Sequence, residues 1–186
     1  MLEADIIAHC APTLAGIKTA NMFSYRIDSL EVLFREIEEE NRKLNIKGVF
    51  IEVLKCSDSR ALVYVYRKKK LEADLKKDGA DSILRDCGYE NCENDCCDCC
   101  IRHLQSRFFQ YENFPHEVGL FLGYPLDDVR GFIEQKGKNY KCCGIWKVYG
   151  DEQQTMMIFR KLKKCSEIYK RLFEDGRSIL QLTVAA

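Results

Sequence analysis

Two runs of β-branched and aromatic residues, Val49-Phe50-Ile51-Glu52-Val53-Leu54 and Ala61-Leu62-Val63-Tyr64-Val65-Tyr66, flank the short polar stretch Cys56-Ser57-Asp58-Ser59-Arg60. Side chains of this kind fit a pleated, half-buried surface better than a helix. A connection so short brings the second strand straight back beside the first, so the sequence predicts a β-hairpin over 48–66. Both faces of that hairpin carry apolar residues, which calls for other elements to cover it. Two strands alone are barely stable in water, so the rest of the chain must supply a further strand and packing layers.

The flanking sequence changes to a helical period. Asp28 and Glu31 have capping-box spacing, and Leu30, Leu33, Phe34, Ile37 and Leu44 follow at helical intervals. The three prolines each stand where a helix can begin, which predicts helices over Thr13–Asn21, Phe114–Leu122 and Pro125–Lys136. Helical segments are also expected over Leu71–Leu84 and Ile101–Tyr111. Ile145-Trp146-Lys147-Val148-Tyr149 reads as a third strand. Asp151 with Gln154 caps a long C-terminal helix whose apolar stripe includes Ile158, Phe159, Leu162, Cys165 and Tyr169. The sum is an α+β chain: a small, mostly antiparallel three-stranded sheet (hairpin 48–66 plus strand 144–149) packed by several helices. With 186 residues, it is expected to form a single domain over 1–186, with a Cys-rich, insertion-like loop at about 87–100.

Charge narrows the function classes. Lys+Arg and Asp+Glu are both 29, so no net field draws the protein to nucleic acid or to an anionic membrane. Two local basic stretches, Arg67–Lys70 and Arg160-Lys161-x-Lys163-Lys164, leave open an adaptor that binds a protein or RNA, with Tyr64, Tyr66 and Tyr169 beside them. The first residues lack the basic and apolar regions of a signal peptide, and no apolar run approaches the ~20 residues of a membrane span. The expected location is the cytoplasm, where thiols are kept reduced and dense cysteine points to metal or redox chemistry.

Cysteine is indeed dense: the chain has 11, and Cys87, Cys92, Cys96, Cys97, Cys99 and Cys100 fall close together. Cys96/Cys99 and Cys97/Cys100 are interleaved C-x-x-C pairs, a spacing that lets two sulfurs meet one soft ion such as zinc or iron. Cys92, Cys96, Cys97, Cys99 and Cys100 are the candidate ligands, with Cys142-Cys143 or His103 able to complete a shell. A separate candidate is Cys10, expected just ahead of a helix N-terminus, where the dipole eases deprotonation, with Lys18 nearby. Cys10 as nucleophile with His116 or Glu117 as acid/base is the alternative, enzymatic reading. Gly119-x3-Gly123-x5-Val129 has helix-turn-helix spacing, but Asp127 and Asp128 would open the reading helix with carboxylates, so a plain helical hairpin is expected.

Three motifs carry a resemblance that runs nearly end to end. They are His9-Cys10-Ala11-Pro12-Thr13-Leu14-Ala15-Gly16-Ile17-Lys18-Thr19-Ala20-Asn21, Phe114-Pro115-His116-Glu117-Val118-Gly119-Leu120-Phe121-Leu122-Gly123-Tyr124-Pro125, and Trp146-Lys147-Val148-Tyr149-Gly150-Asp151. Together they resemble bacterial domain-of-unknown-function family number 3793, found mostly in anaerobes. The resemblance implies no reaction. Genes of this family tend to lie near flavodoxin and ferrous-iron transport genes, which implies a redox or iron-related partner protein. It also favours Cys10, Lys18, Asn21, His116, Glu117, Tyr124 and Lys147 over the Cys87–Cys100 cluster, which lies outside the three motifs.

Overall fold

The computed structural model describes residues 1–57, 59–89, 97–110 and 114–185. Helix α1 (Leu2–Leu14) leads into strand β1 (Ala20–Arg26), then helix α2 (Leu30–Leu44). The hairpin follows as β2 (Val49–Cys56) and β3 (Arg60–Arg67). Four helices come next on the sheet's second face: α3 (Lys68–Leu75), α4 (Ala80–Asp86), α5 (Cys97–Gln110) and α6 (Val118–Phe121). Helix α7 (Leu126–Glu134), two-residue strands β4 (Cys142–Cys143) and β5 (Lys147–Val148), the long helix α8 (Glu152–Glu174) and α9 (Ile179–Leu182) complete the chain. The fold is α+β, as the sequence predicts, with a three-stranded antiparallel sheet in the order β1-β3-β2 and a separate sheet of β4 and β5. No helix among the described residues is long and apolar enough to cross a membrane.

The third strand of the main sheet is not 144–149. It is β1, which pairs with β3 from Ala20 opposite Tyr66 to Arg26 opposite Arg60. The expected helix over Thr13–Asn21 is replaced by a helix end, a turn and this strand. Pro12 lies inside the last turn of α1 and does not start a helix. The stop comes from Gly16, which takes φ +72°. Ile17 N–H then bonds the Pro12 carbonyl (3.0 Å) and Gly16 N–H the Thr13 carbonyl (3.1 Å), the paired bonds of a Schellman cap. The 144–149 run has only Lys147 and Val148 in register with Cys143 and Cys142, because Gly144 and Gly150 bend the chain at both ends. The expected helix over Leu71–Leu84 is likewise split, at Gly79 with φ +89°. Helix α2 begins after Ser29, not Asp28, with no side-chain cap bond.

Strand alternation explains why the hairpin is apolar on both faces. Val63 and Val65 of β3 face one core with Leu2, Ile6, Leu33 and Leu44 of α1 and α2. Tyr64 and Tyr66 face the other, with Leu71, Leu84, Leu104 and Phe121 of the helices α3 to α6. Tyr64 donates to the Phe121 carbonyl at 2.6 Å, so its hydroxyl is paired where water is excluded. The outer edge of β2 is closed by side chains. Asn41 of α2 exchanges two 2.9 Å bonds with the main chain of Ile51, and Gln105 of α5 donates to the Val53 carbonyl.

Arg67, expected in a basic surface run, is instead 3% exposed. Its guanidinium donates to the carbonyls of Thr13, Leu14 and Val184 at 2.6–2.7 Å. It therefore caps the carbonyl end of α1 and pins the C-terminal segment, where Val184 N–H also bonds Leu14. Tyr64 and Tyr66 are buried too, so of the basic-aromatic patch drawn from sequence these three residues are internal, while Lys69, Lys70, Arg160, Lys161, Lys163 and Lys164 are exposed.

Candidate functional site

The end of α1 and the strand after it, the α6–α7 corner and the β4–β5 turn come together around two adjoining cavities. The first, of about 580 Å³, lies between the end of α1, the turn at Gly144-Ile145 and one face of α8. Lys18, Arg160 and Lys163 line it, with His9, Asn21 and Ser166, and its apolar wall includes Ile145, Met156, Phe159 and Leu162. No aspartate or glutamate is in that lining among the described residues. The second cavity, of about 360 Å³, is walled by Phe114, His116, Tyr124, Phe132 and Trp146, with Lys147 and Asp128. Gly144 and Ile145 belong to both linings, so the β4–β5 turn is the ridge between them.

Local structure fixes each side chain. Lys18 follows the α1 cap, and its Nζ donates to the carbonyls of Ala20 and, at 3.0 Å, Leu122. It stands 5.0 Å from the centre of the Tyr124 ring, a cation–π distance. Burial pushes its pKa down to about 8, against the opposing pull of Cys10 and Asp74. Gly123, at φ +70°, lets the α6 end approach Thr19, whose hydroxyl bonds Asp74; a Cβ there would collide with the Thr19 side chain. Thr13 donates to Asn21 at 2.8 Å and so orients that amide at the cavity.

Asp128 organises the ridge. It is 3% exposed, in the first turn of α7, where a carboxylate suits the helix dipole. One oxygen accepts from Trp146 Nε1 at 2.7 Å, and the other from the N–H groups of Tyr149 (2.7 Å) and Gly150 (2.8 Å). Trp146 stacks on Tyr124 with centroids 4.3 Å apart and meets the edge of Phe159 at 4.5 Å. Gly144 is compelled by the same packing, since a Cβ there would run into the Phe159 ring. Asp128 thus has a structural task, beyond the bar to nucleic acid that its sequence position suggests.

The residues proposed from sequence are divided by the fold. Lys18 and Asn21 line the first cavity, and His116, Tyr124 and Lys147 line the second. Cys10 joins neither. It lies within α1, not ahead of a helix start, is fully buried among Leu2, Ile6 and Leu14, and burial raises its thiol pKa well above the ordinary range. Such a thiol is core, and the pairing of Cys10 with His116 is not built. Glu117 precedes α6 and is buried in an ion pair with Arg107 (2.7 Å), while Tyr89 donates to it at 3.3 Å. The Cys87 thiol also bonds Glu117, and burial, with that carboxylate, pushes it up to about 11. Lys18 and His116 remain as cavity residues, and Glu117 as the anchor of a buried network.

Of the proposed metal ligands, Cys92 and Cys96 lie outside the described residues. Cys97, Cys99 and Cys100 are not in a loop; they open α5. Cys97 and Cys100 point into the core near Tyr64 and Leu104, whereas Cys99, two residues on from Cys97, is turned by about 200° around the helix. Among the described residues no group of three His, Cys, Asp or Glu side chains is placed to hold an ion.

Sequence reasoning passed over Phe132 and Ile145 as site residues and saw Arg160 and Lys163 only as part of a charge run. The usable signal was positional: both cations fall beside Phe159 and Leu162 on the α8 stripe, at the boundary of its buried face. Comparison with family models finds one, described as Protein of unknown function (DUF3793), that matches residues 6–183. Comparison with curated proteins and with solved structures finds no match.

Proposed function

The chain belongs to the DUF3793 family of proteins of unknown function, and on that premise we propose that it binds a small organic anion with an apolar body in the cleft between α1 and α8. The observation that carries this reading is the lining of the larger cavity, which includes Lys18, Arg160 and Lys163 and, among the described residues, no carboxylate. Lys18 is already held by the Ala20 and Leu122 carbonyls, whereas Arg160 and Lys163 are exposed cations beside an apolar wall, and a low-dielectric wall strengthens their attraction to an anion. A volume of about 580 Å³ falls within the range of small-molecule sites. The pocket suits a carboxylate or phosphate head against Arg160 and Lys163, with a hydrocarbon part on Ile145, Met156 and Leu162.

A thermal-shift titration tests this with octanoate and, as the matched cation, octylammonium. Octanoate is expected to raise the melting temperature in a saturable way, and Arg160→Gln or Lys163→Gln to weaken it by about tenfold each, the usual value of a charged contact. Equal responses to both probes, or no loss in either variant, would overturn the reading.

A second reading, thiol-based redox or soft-metal handling in the reducing cytoplasm, is supported by Arg102 Nη2, which lies 3.1 Å from Cys99 Sγ. A cation beside a sulfur is one feature of the microenvironments in which thiols bind zinc or iron and exchange disulfides. Anaerobic purification followed by metal analysis tests it. Less than about a tenth of an equivalent of metal, with no thiol-dependent absorbance, removes it.

A further inference from the structure

The two cavities differ in chemistry in a way that sorts a ligand end to end. The smaller one is aromatic: Phe114, Phe132, Tyr124 and Trp146 wall it. Its formal charges, Lys147 and Asp128, balance. Both are also occupied: Asp128 by three N–H donors, and Lys147 by the Gly137 carbonyl at 2.7 Å and the Tyr140 ring at 4.9 Å. The larger cavity is lined by three cations, Lys18, bonded to the Ala20 and Leu122 carbonyls, and the exposed Arg160 and Lys163. Ile145 stands between them at 48% exposed, and Phe114 at the aromatic rim is equally exposed, two apolar side chains in water next to a ready-made cavity. Covering them recovers hydrophobic free energy that the unliganded fold forgoes.

We infer that the two cavities are one bipartite site, and that its ligand is an aromatic anion whose ring lies in the Phe132/Trp146 lobe and whose carboxylate or phosphate crosses the Ile145 ridge toward Arg160 and Lys163. This rests on the anion-binding reading above and adds the class of the ligand's body. The orientation follows from charge: the aromatic lobe's two charges balance and are already paired, so it offers an anionic head no net attraction, whereas the lining of the other lobe has Lys18, Arg160 and Lys163 and, among the described residues, no carboxylate. The ring preference follows from the walls. Faces and edges of aromatic side chains attract a planar π-system beyond what its area alone provides.

The test compares 2-naphthoate with octanoate by calorimetric titration, and follows the indole N–H resonance of Trp146, the chain's one tryptophan. Naphthoate is expected to bind about tenfold tighter than octanoate and to shift that resonance, which octanoate leaves in place. Phe132→Leu is expected to weaken naphthoate about tenfold while changing octanoate less than about twofold. Equal affinities with an unmoved indole signal would overturn the bipartite site and leave the anion reading standing. Failure of both anions to bind would overturn the anion reading itself. Binding of 2-naphthylmethylammonium as tightly as 2-naphthoate would overturn the assigned orientation.

Discussion

Asp128 is the residue on which the ridge between the cavities depends, and its replacement by asparagine has a calculable effect. The carboxylate is 3% exposed and accepts three hydrogen bonds, one at Oδ2 from the Trp146 indole and two at Oδ1 from main-chain N–H groups of Tyr149 and Gly150. Asparagine keeps the shape but turns one of those oxygens into a donor. In the orientation that keeps two bonds, the new amide N–H faces the Trp146 N–H, so a buried donor loses its partner and a second is added. Leaving one buried donor unpaired costs about 1–3 kcal/mol, and the remaining bonds lose their charge assistance. The expected destabilisation is about 2–3 kcal/mol for Asp128→Asn and about 3–5 kcal/mol for Asp128→Ala, which strands all three donors. In a chain of this size that lowers the melting temperature by about 4–12 °C for the asparagine variant. Urea unfolding followed by circular dichroism gives the stability. A cycle with Trp146→Phe isolates the indole bond, with an expected coupling of about 1 kcal/mol or more. A loss below about 0.5 kcal/mol in Asp128→Asn, or no coupling to Trp146, would refute the argument that this carboxylate holds the ridge.

Three further outcomes are expected. Arg67→Met removes the donor to three carbonyls and should cost about 3–4 kcal/mol, with faster amide exchange in the last residues of α1 and at Val184. Glu117→Gln removes the negative charge that faces Arg107 in a buried pair and should cost about 2–3 kcal/mol by urea unfolding, whereas Arg107→Gln paired with Glu117→Gln should recover part of it. Lys18 has a folded pKa near 8 against an ordinary 10.5, so the buried charge weighs on the fold at and below pH 8. Between pH 8 and 10.5 the unfolded chain binds the proton that the folded chain has released, so this residue's contribution makes stability rise with pH. The Cys10 thiol acts in the opposite sense above pH 9, because its folded pKa is raised. The difference in stability between wild type and Lys18→Met, measured across that window, should therefore grow with pH. A difference independent of pH would contradict the burial argument.

The hairpin was legible because its alternation and its loop are local properties. So was the capped start of α8, where Asp151 accepts from Gln154 N–H at 3.0 Å as the spacing of those residues indicates. Strand β1 was not legible. Its seven residues, Ala-Asn-Met-Phe-Ser-Tyr-Arg, have no strong alternation, and its place is set by pairing with Tyr66 through Arg60 far along the chain. Pro12 misled too: a proline favours the first turn of a helix, and that this one lies in the last turn of α1 can be decided only by knowing that Gly16 ends it. Of the candidate site, the motif residues Lys18, Asn21, His116, Tyr124 and Lys147 were visible in sequence, but not their division between two cavities. The burial of Cys10 was not legible either, because exposure, which controls thiol reactivity, is a tertiary property. Arg67 shows the converse: a residue in a basic run became the internal clamp of α1 and the C-terminal segment.

An organic anion in the cleft between α1 and α8 has to touch the side chains that line it. Amide chemical-shift mapping with octanoate addresses that contact at the level of single residues. Saturable shifts are expected at Lys18, Asn21, Ile145, Arg160 and Lys163, weakening as the pH rises through 8 and Lys18 loses its charge. Shifts centred on another face of the protein, or none at saturating probe, would contradict binding in this cleft.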